Sequence, residues 1–305
     1  MAHNPMGTDP TDSESDPIFN ATSQKRNVVD PRTGLFEIYV PLGSITGNNG
    51  NGPVVDLSLY NTPTINNEAG LGDGTWQAFT IYSETHKKLT LHTGEVLELE
   101  KSKGLKNSAV FAEWASEKKL IVQRKGGRKE VLSLLEGTGT YLPESLTTDG
   151  FNSVFFTWMK TPHVIEGKTY YQIQLTEIRD ATRRLLDVVY TTSDPNTTPV
   201  LQSVKFIFWP DDVAQTLTYT LDIKDYALQS VSLGDNIQST FEYLDHPVCG
   251  WLLTKITNFD GLQEVVVYKD NGLKFPDNPK LSALPCVSTH TLTPNGGGDT
   301  RYHHV

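Results

Sequence analysis

The eight histidines lie at positions 3, 86, 92, 163, 246, 290, 303 and 304, and the two cysteines at 249 and 286. Zinc sites of the strongest kind announce themselves by spacing, as His-Glu-x-x-His on a helix or as Cys-x-x-Cys pairs. Neither pattern occurs. His246 and Cys249 come closest to a ligand pair or a nucleophile with its base, and a packed thiol near a surface imidazole accounts for them more simply. Acyl transfer needs a Gly-x-Ser-x-Gly elbow, and Gly43-Ser44 lacks the second glycine. Phosphate cradles open a helix, whereas the Gly-rich runs here lead into strand-like sequence. Carboxylate pairs for glycoside hydrolysis are brought together only by folding, so Glu177, Asp211 and Asp212 are candidates whose simpler reading is turn and surface charge. The expectation is a chain with no catalytic residue, no cofactor and no metal ligand.

Binding is the chemistry that these residue types suit better. The tryptophans at 76, 114, 158, 209 and 251 are potential stacking platforms for a sugar or a protein, with most expected in the core. Trp209 precedes Pro210-Asp211-Asp212 at a strand end and is the candidate rim residue. Lys87 to Lys129 holds eleven Lys/Arg against five Glu, a local +6 in a chain of net charge −10. That patch reads either as a solvated sheet edge guarded by lysines or as a site for phosphate or an acidic partner. Lys125 and Arg128, flanking Gly126-Gly127, are its candidate binding residues. The acidic balance of the whole chain speaks against a broad nucleic-acid footprint.

The elements that must position these residues read as strands. The 305 residues are 37% hydrophobic, 20% charged and 10% aromatic, with Thr, Ser and Asn replacing much of the charge. Phe36, Ile38 and Val40 alternate with polar neighbours, as do Val55, Leu57 and Leu59, and the Gly-Asn-rich run from Gly47 to Pro53 makes the two segments resemble a hairpin. Leu89 and Leu91, then Leu97 and Leu99, bracket His92-Thr93-Gly94-Glu95 as strand, turn and strand. Two basic strands flank Gly126-Gly127. Leu217, Tyr219, Leu221 and Ile223 give a strand with one wet face. Val265 to Tyr268 running into Asp270-Asn271-Gly272 reads as the start of another hairpin. Only Phe111 to Lys119 suggests two helical turns. The class is all-β, built from repeat-like antiparallel hairpins in an extended curved sheet.

Residues 1–28 are expected to be a disordered lead-in, 29–150 a β region with Gly/Asn-rich loops and the basic hairpin, and 151–305 a hairpin region open at its C-terminal end. No Sec signal and no run of eighteen apolar residues is visible, so the reading is a soluble chain without a membrane span, made in the cytoplasm and exported, if at all, by a signal-independent route. Two cysteines are too few for a disulfide framework.

Three segments share a rhythm of aromatic, Leu/Ile with Asp, turn, and β-branched residues: Thr169 to Tyr190, Leu217 to Leu233 and Phe241 to Tyr268. Together with DPRTGLFEIYVPLGSITGNNGNGPVVDLSLYNTP (Asp30 to Pro63), GLGDGTWQAF (Gly70 to Phe79), KKLTLHTGEV (Lys87 to Val96) and the closing stretch Gly272 to Val305, the chain resembles the N-terminal region of Rhs/YD-repeat proteins. That family includes the C components of insecticidal toxin complexes and related polymorphic toxins. The resemblance implies a YD-repeat shell that encapsulates a toxin, with this region starting or sealing it. It implies as partners a downstream Rhs/YD-repeat core and toxin cargo or a toxin-complex partner. Self-association through an open strand edge is expected too. The family's chain continues past Tyr302 into YD repeats, so this sequence reads as an excised piece, a cleaved fragment or a truncated orphan. The alternatives are a free-standing carbohydrate- or host-surface-binding module, and an enzyme whose site only the fold assembles.

Overall fold

Short alternating segments separated by Gly, Asn and Asp can bury one face each only by pairing edge to edge, and the chain does this along nearly its whole length. A computed structural model describes residues 27–63, 71–72, 74–101, 103–148, 152–165, 168–193, 200–235, 237–273, 283–295 and 301–304. Most of the expected lead-in therefore lies outside the described residues. The fold is all-β and antiparallel, and the helical element among the described residues is one 3-10 turn at Asn48–Gly50.

The N-terminal part forms β1 (Val28–Val29), β2 (Phe36–Val40), β3 (Ser44–Thr46), β4 (Val54–Asp56), β5 (Leu59–Asn61) and β6 (Thr75–Gln77). The hairpin around the Gly-Asn run joins β3 to β4, while β2 pairs with β5 outside it. The single hairpin expected from the alternation is thus two nested ones. The Gly43 carbonyl accepts the Leu57 N–H at 3.0 Å, and this closes the inner pair against the outer.

Next come β7 (Ile81–Ser83), β8 (Lys88–Thr90), β9 (Val96–Glu98), β10 (Leu105–Lys106), β11 (Val110–Ser116), β12 (Lys119–Arg124), β13 (Lys129–Leu135) and β14 (Thr140–Thr148). The segment expected to be helical is the strand β11. Val110 and Ala112 point into a core and Trp114 packs on Tyr82 and Tyr141, so burial at period two overrides the helix propensity of Ala, Glu and Lys. The hairpin across Gly126-Gly127 forms as read, β12 on β13. Both its strands are interior, flanked by β11 and β14, while the outer strands β9 and β10, the latter carrying Lys106, lie in the same basic segment, so the guarded-edge reading holds for those strands and not for the hairpin.

The remainder is a meander of β15 (Asn152–Ile165), β16 (Lys168–Arg179), β17 (Arg184–Thr192), β18 (Leu201–Phe208), β19 (Leu217–Lys224), β20 (Ala227–Leu233), β21 (Ile237–His246), β22 (Gly250–Thr257), β23 (Gln263–Leu273), β24 (Leu284–Thr293) and β25 (Arg301–His304). Each strand pairs with the next in sequence. Of the three rhythmic segments, the first two are single hairpins and the third spans three strands. The turn read at Asp270-Asn271-Gly272 is not there, because β23 runs through it with a register break between Lys269 and Leu273.

The sheet forks at β14. Its Thr140 and Tyr141 pair with β7, while Ser145 to Thr148 pair with β15 on the same edge. Pro143 sits between these halves next to a bulge opposite Val131 and Leu132. Proline has no N–H to offer a neighbour, and its carbonyl is taken by the Trp158 indole N–H at 2.7 Å. Two cores follow from the fork. One holds Tyr82, Leu89, Val110, Leu120, Leu132 and Tyr141 within β7 to β14, and the other packs residues 36–71 against 146–287.

Candidate functional site

Arg128 directly precedes the return strand of the basic hairpin, and its guanidinium does not simply point to solvent. Its Nη2 donates to Glu130 Oε1 at 2.9 Å, and Glu130 is 2% exposed. The other oxygen of Glu130 accepts the Thr80 hydroxyl at 2.6 Å, and Thr80 Oγ1 in turn accepts the His92 backbone N–H at 3.2 Å. Arg124, at the end of β12, places Nη1 3.2 Å from His92 Nε2. A guanidinium can only donate, so Nε2 accepts and the His92 proton sits on Nδ1. Burial and then Arg128 hold the His92 imidazole down to about 4; Glu130 pulls the other way, and Arg124 adds to the lowering.

A cleft of about 500 Å³ opens beside this network. Its walls carry Arg124, Arg128, Lys129, Gln123, Thr147 and Ser153, so the β12–β13 hairpin and the β14–β15 junction meet there. The hydroxyls of Thr147 and Ser153 are 2.7 Å apart. The Nε of Arg128 is buried with no hydrogen-bond partner among the described residues. Lys101 pairs with Glu84, Lys118 with Glu136 and Lys119 with Glu144, all at 2.5 to 2.8 Å.

Of the residues singled out from the sequence, Arg128 lines this cleft and Lys125 does not, being exposed in the turn with its N–H on Ala109 O. Trp209 is elsewhere, half-buried against the larger core with its ring 5.8 Å from Phe208 and its φ at +49°. All five tryptophans are half-buried. His246 Nδ1 accepts the N–H groups of Val248 and Cys249, a turn cap that explains their spacing. Asp211 is bound by Arg184, which also reaches Asp187 at 2.7 Å, and Asp212 caps the following turn. Among the described residues no group of three or more His, Cys, Asp or Glu is arranged to hold a metal ion.

A second cleft, of about 450 Å³, lies where the N-terminal sheet meets the end of the meander, lined by Tyr39, Phe259, Asn258, Asp260 and Glu264 among others. Glu264 is 4% exposed, bonded to the Asn27 amide and 2.9 Å from His290 Nε2. Asn27 also accepts the Tyr39 N–H at 3.0 Å. Sequence reading found neither Glu264 with His290 nor Thr80, His92 and Glu130. Their partners are 26 and 50 residues away, and no local pattern marks them.

The His92 arrangement gives a pH-dependent stability. A histidine whose folded value lies near 4, against 6.5 unfolded, stabilises the fold fully above the unfolded value and loses that contribution as pH falls from about 6.5 towards 4. The gap corresponds to roughly 3 kcal/mol as an upper bound. Glu37, raised to about 7 by burial and by Asp30, works in the opposite direction across an overlapping window. The expected result is that the difference in denaturation midpoint between the wild type and His92→Gln shrinks from pH 7 to pH 4. A constant difference would show that the imidazole does not titrate between the folded and unfolded states as described.

No protein-family model matches the sequence, and no curated protein gives a significant match. Solved structures do. The crystal structure of TcdB2-TccC3 is 12% identical with a TM-score of 0.41, covering 81% of this chain and 17% of that one. The same complex without its hypervariable C-terminal region gives 10%, 0.43, 81% and 16%. The N-terminal domain of the effector protein SpvB from Salmonella typhimurium strain LT2 is 11% identical with a TM-score of 0.41, covering 72% of this chain and 97% of that one. The chain thus spans about a sixth of the toxin-complex chains that it resembles and nearly all of the effector domain.

Proposed function

We propose that this chain is a non-enzymatic structural segment of a toxin-associated β-shell of the Rhs/YD-repeat kind, starting or sealing the shell. The observation that carries the reading is the unbroken meander from β14 to β25, each strand bonded to the next in sequence and β25 in register with β24. An outer strand of such a meander is a template for another strand. The family-like motifs spread from Asp30 to Val305 support the same reading. Its partners are then a following YD-repeat segment and the cargo that the finished shell encloses, and export proceeds without a Sec signal.

Size-exclusion chromatography with light scattering, with and without a recombinant YD-repeat segment, tests this. Concentration-dependent self-association and retention of the segment are expected. A strictly monomeric chain that ignores the segment would overturn the proposal.

One observation favours a second reading, a glycan-binding module. The cleft between Tyr39 and Phe259 offers aromatic walls together with Asn258 and Asp260, the mixture that sugars use. Binding on a glycan array that is lost in Tyr39→Ala and Phe259→Ala would select it over the shell.

A further inference from the structure

We infer that the meander opens first between β20 and β21, a seam left unfastened where three equivalent forks are each closed by one aromatic hydrogen bond. The fork at Pro143 is not alone. Trp158 donates its indole N–H to Pro143 O at 2.7 Å, Tyr190 its hydroxyl to Leu175 O at 3.0 Å, and Tyr268 its hydroxyl to Leu253 O at 2.9 Å. Donor and acceptor stand 15 residues apart each time. The register around them is also the same. Pairing reaches Ser145 with Phe155, Glu177 with Asp187 and Lys255 with Val265 before the strands part, so the acceptor lies two residues before the last pair and the donor three after it.

The cause is local. Glu144, Thr176 and Thr254 are each skipped in the pairing with the preceding strand. Such a bulge bends its strand and increases the twist, which carries it away from the strand that follows. Beyond it the main-chain groups on the parting edges lose their partners, and the aromatic donor satisfies the first carbonyl so freed. Thr176 and Thr254 fix the bulge itself, giving their hydroxyls to Thr157 O and Glu242 O on the preceding strand, both at 3.0 Å.

A fourth copy lies between these. Gln229 is skipped opposite Asp222 and Ile223, β20 and β21 part after Ser230 with Thr240, and Leu228 and Tyr243 hold the acceptor and donor places. The inward-facing residue three places after each acceptor agrees across all four: Leu146, Ile178, Val231 and Ile256 are 1% exposed or less. What this copy lacks is the fastening. The Tyr243 hydroxyl is buried with no hydrogen-bond partner among the described residues, and Gln229 turns its amide to Ala227 O of its own strand at 3.3 Å instead of to the preceding strand. A desolvated, unpaired hydroxyl costs free energy where the other three forks gain it. The fourth register pair at this seam, Leu233 with Ile237, lies at the turn with Ile237 exposed and does not replace the missing bond. In a wall built from this meander, parting starts along that line.

Amide hydrogen exchange of the full chain, resolved by mass spectrometry, tests the seam. Residues 228–233 and 237–243 are expected to exchange about fivefold faster than 175–179 with 184–190 and than 253–257 with 263–268, the scale of one net hydrogen bond. Tyr190→Phe and Tyr268→Phe should each speed exchange about fivefold at their own fork and nowhere else. Tyr243→Phe should leave β20 and β21 unchanged or slower, because it removes a hydroxyl that has no acceptor. Equal protection at the three forks of the wild type would overturn the inference. An acceleration by Tyr243→Phe as large as that by Tyr190→Phe would do the same, since it would show the Tyr243 hydroxyl to be bonded.

Discussion

Replacing Asp180 with alanine is expected to lower the unfolding free energy by about 3 to 5 kcal/mol, among the largest single-residue effects in this chain. Asp180 is 1% exposed and sits in the turn between β16 and β17. One carboxylate oxygen accepts the N–H groups of Thr182 and Arg183 at 2.7 and 3.0 Å and the Thr182 hydroxyl at 2.8 Å. The other reaches 132 residues back to the Asn48 N–H at 2.7 Å. Alanine would leave three backbone donors without their acceptor, two in the turn and one in the Gly-Asn loop. That loop is further pinned to β15, through the Asn48 amide on Ser153 O and the Asn152 amide on Asn51 O. Asp180→Asn separates the two functions. Its single carbonyl oxygen can keep the local turn while its NH₂ faces the Asn48 donor, so about half the loss is expected, together with faster amide exchange confined to residues 47–52.

The charge makes this a pH prediction as well. Burial raises the Asp180 carboxyl, and the hydrogen bonds from Thr182, Asn48 and Arg183 overcome it, leaving a value of about 2. A depressed carboxyl stabilises the fold above its unfolded value, near 3.8, and the contribution disappears as pH falls from there to about 2. The denaturation midpoint of Asp180→Asn should lack this part of the acid dependence. If both proteins lose stability in parallel between pH 4 and 2, the carboxylate is not the anchor described.

Gly34→Ala is expected to cost about 3 kcal/mol, through two effects at one atom. Gly34 has φ of +69°, a conformation that costs an L-residue roughly 1 to 2 kcal/mol. A Cβ there would also lie 2.6 Å from Cys286 Cβ, an atom fixed to the backbone of β24 that cannot swing aside. The contact exists because the Val287 N–H donates to Gly34 O at 2.8 Å, docking the opening Asp30 to Gly34 turn on the closing strand. Gly126→Ala is the control, since its φ is +102° but nothing lies within 4 Å of the added methyl. It should show the conformational cost alone. Combining Gly34→Ala with Cys286→Ala should restore nothing, because alanine keeps the offending Cβ, whereas Cys286→Gly should recover part of the loss. Equal effects for Gly34→Ala and Gly126→Ala in urea denaturation would refute the clasp.

Cys286 also corrects the reading of Asp270-Asn271-Gly272. A Cβ on Gly272 would come within 2.3 Å of the Cys286 sulfur, so this glycine serves close approach between two paired strands. From the sequence an Asn-Gly pair has the same appearance in a turn or at such a contact. The basic segment divides along the same lines. Its strands β9 and β10 are outer strands, where lysines such as Lys106 guard an edge, whereas β12 and β13 are interior and Lys118 and Lys119 meet Glu136 and Glu144 from other elements.

What the chain's sequence determined by itself is the all-β class, and which side chains of its clearest strands face inward: Phe36, Ile38 and Val40, or Val55, Leu57 and Leu59, all 4% exposed or less. It also determined the hairpin at Gly126-Gly127. These are properties of period-two alternation and of tight turns, and both are local along the chain. Tertiary structure alone decided which strand each strand pairs with beyond its neighbour, the fork at Pro143, the nesting of two hairpins at the Gly-Asn loop, and the meeting of Thr80, His92, Arg124, Arg128 and Glu130 beside a basic cleft. Hydrogen bonds and charges act through space over a few ångströms, and folding brings to that distance residues that the sequence holds 50 or 132 positions apart.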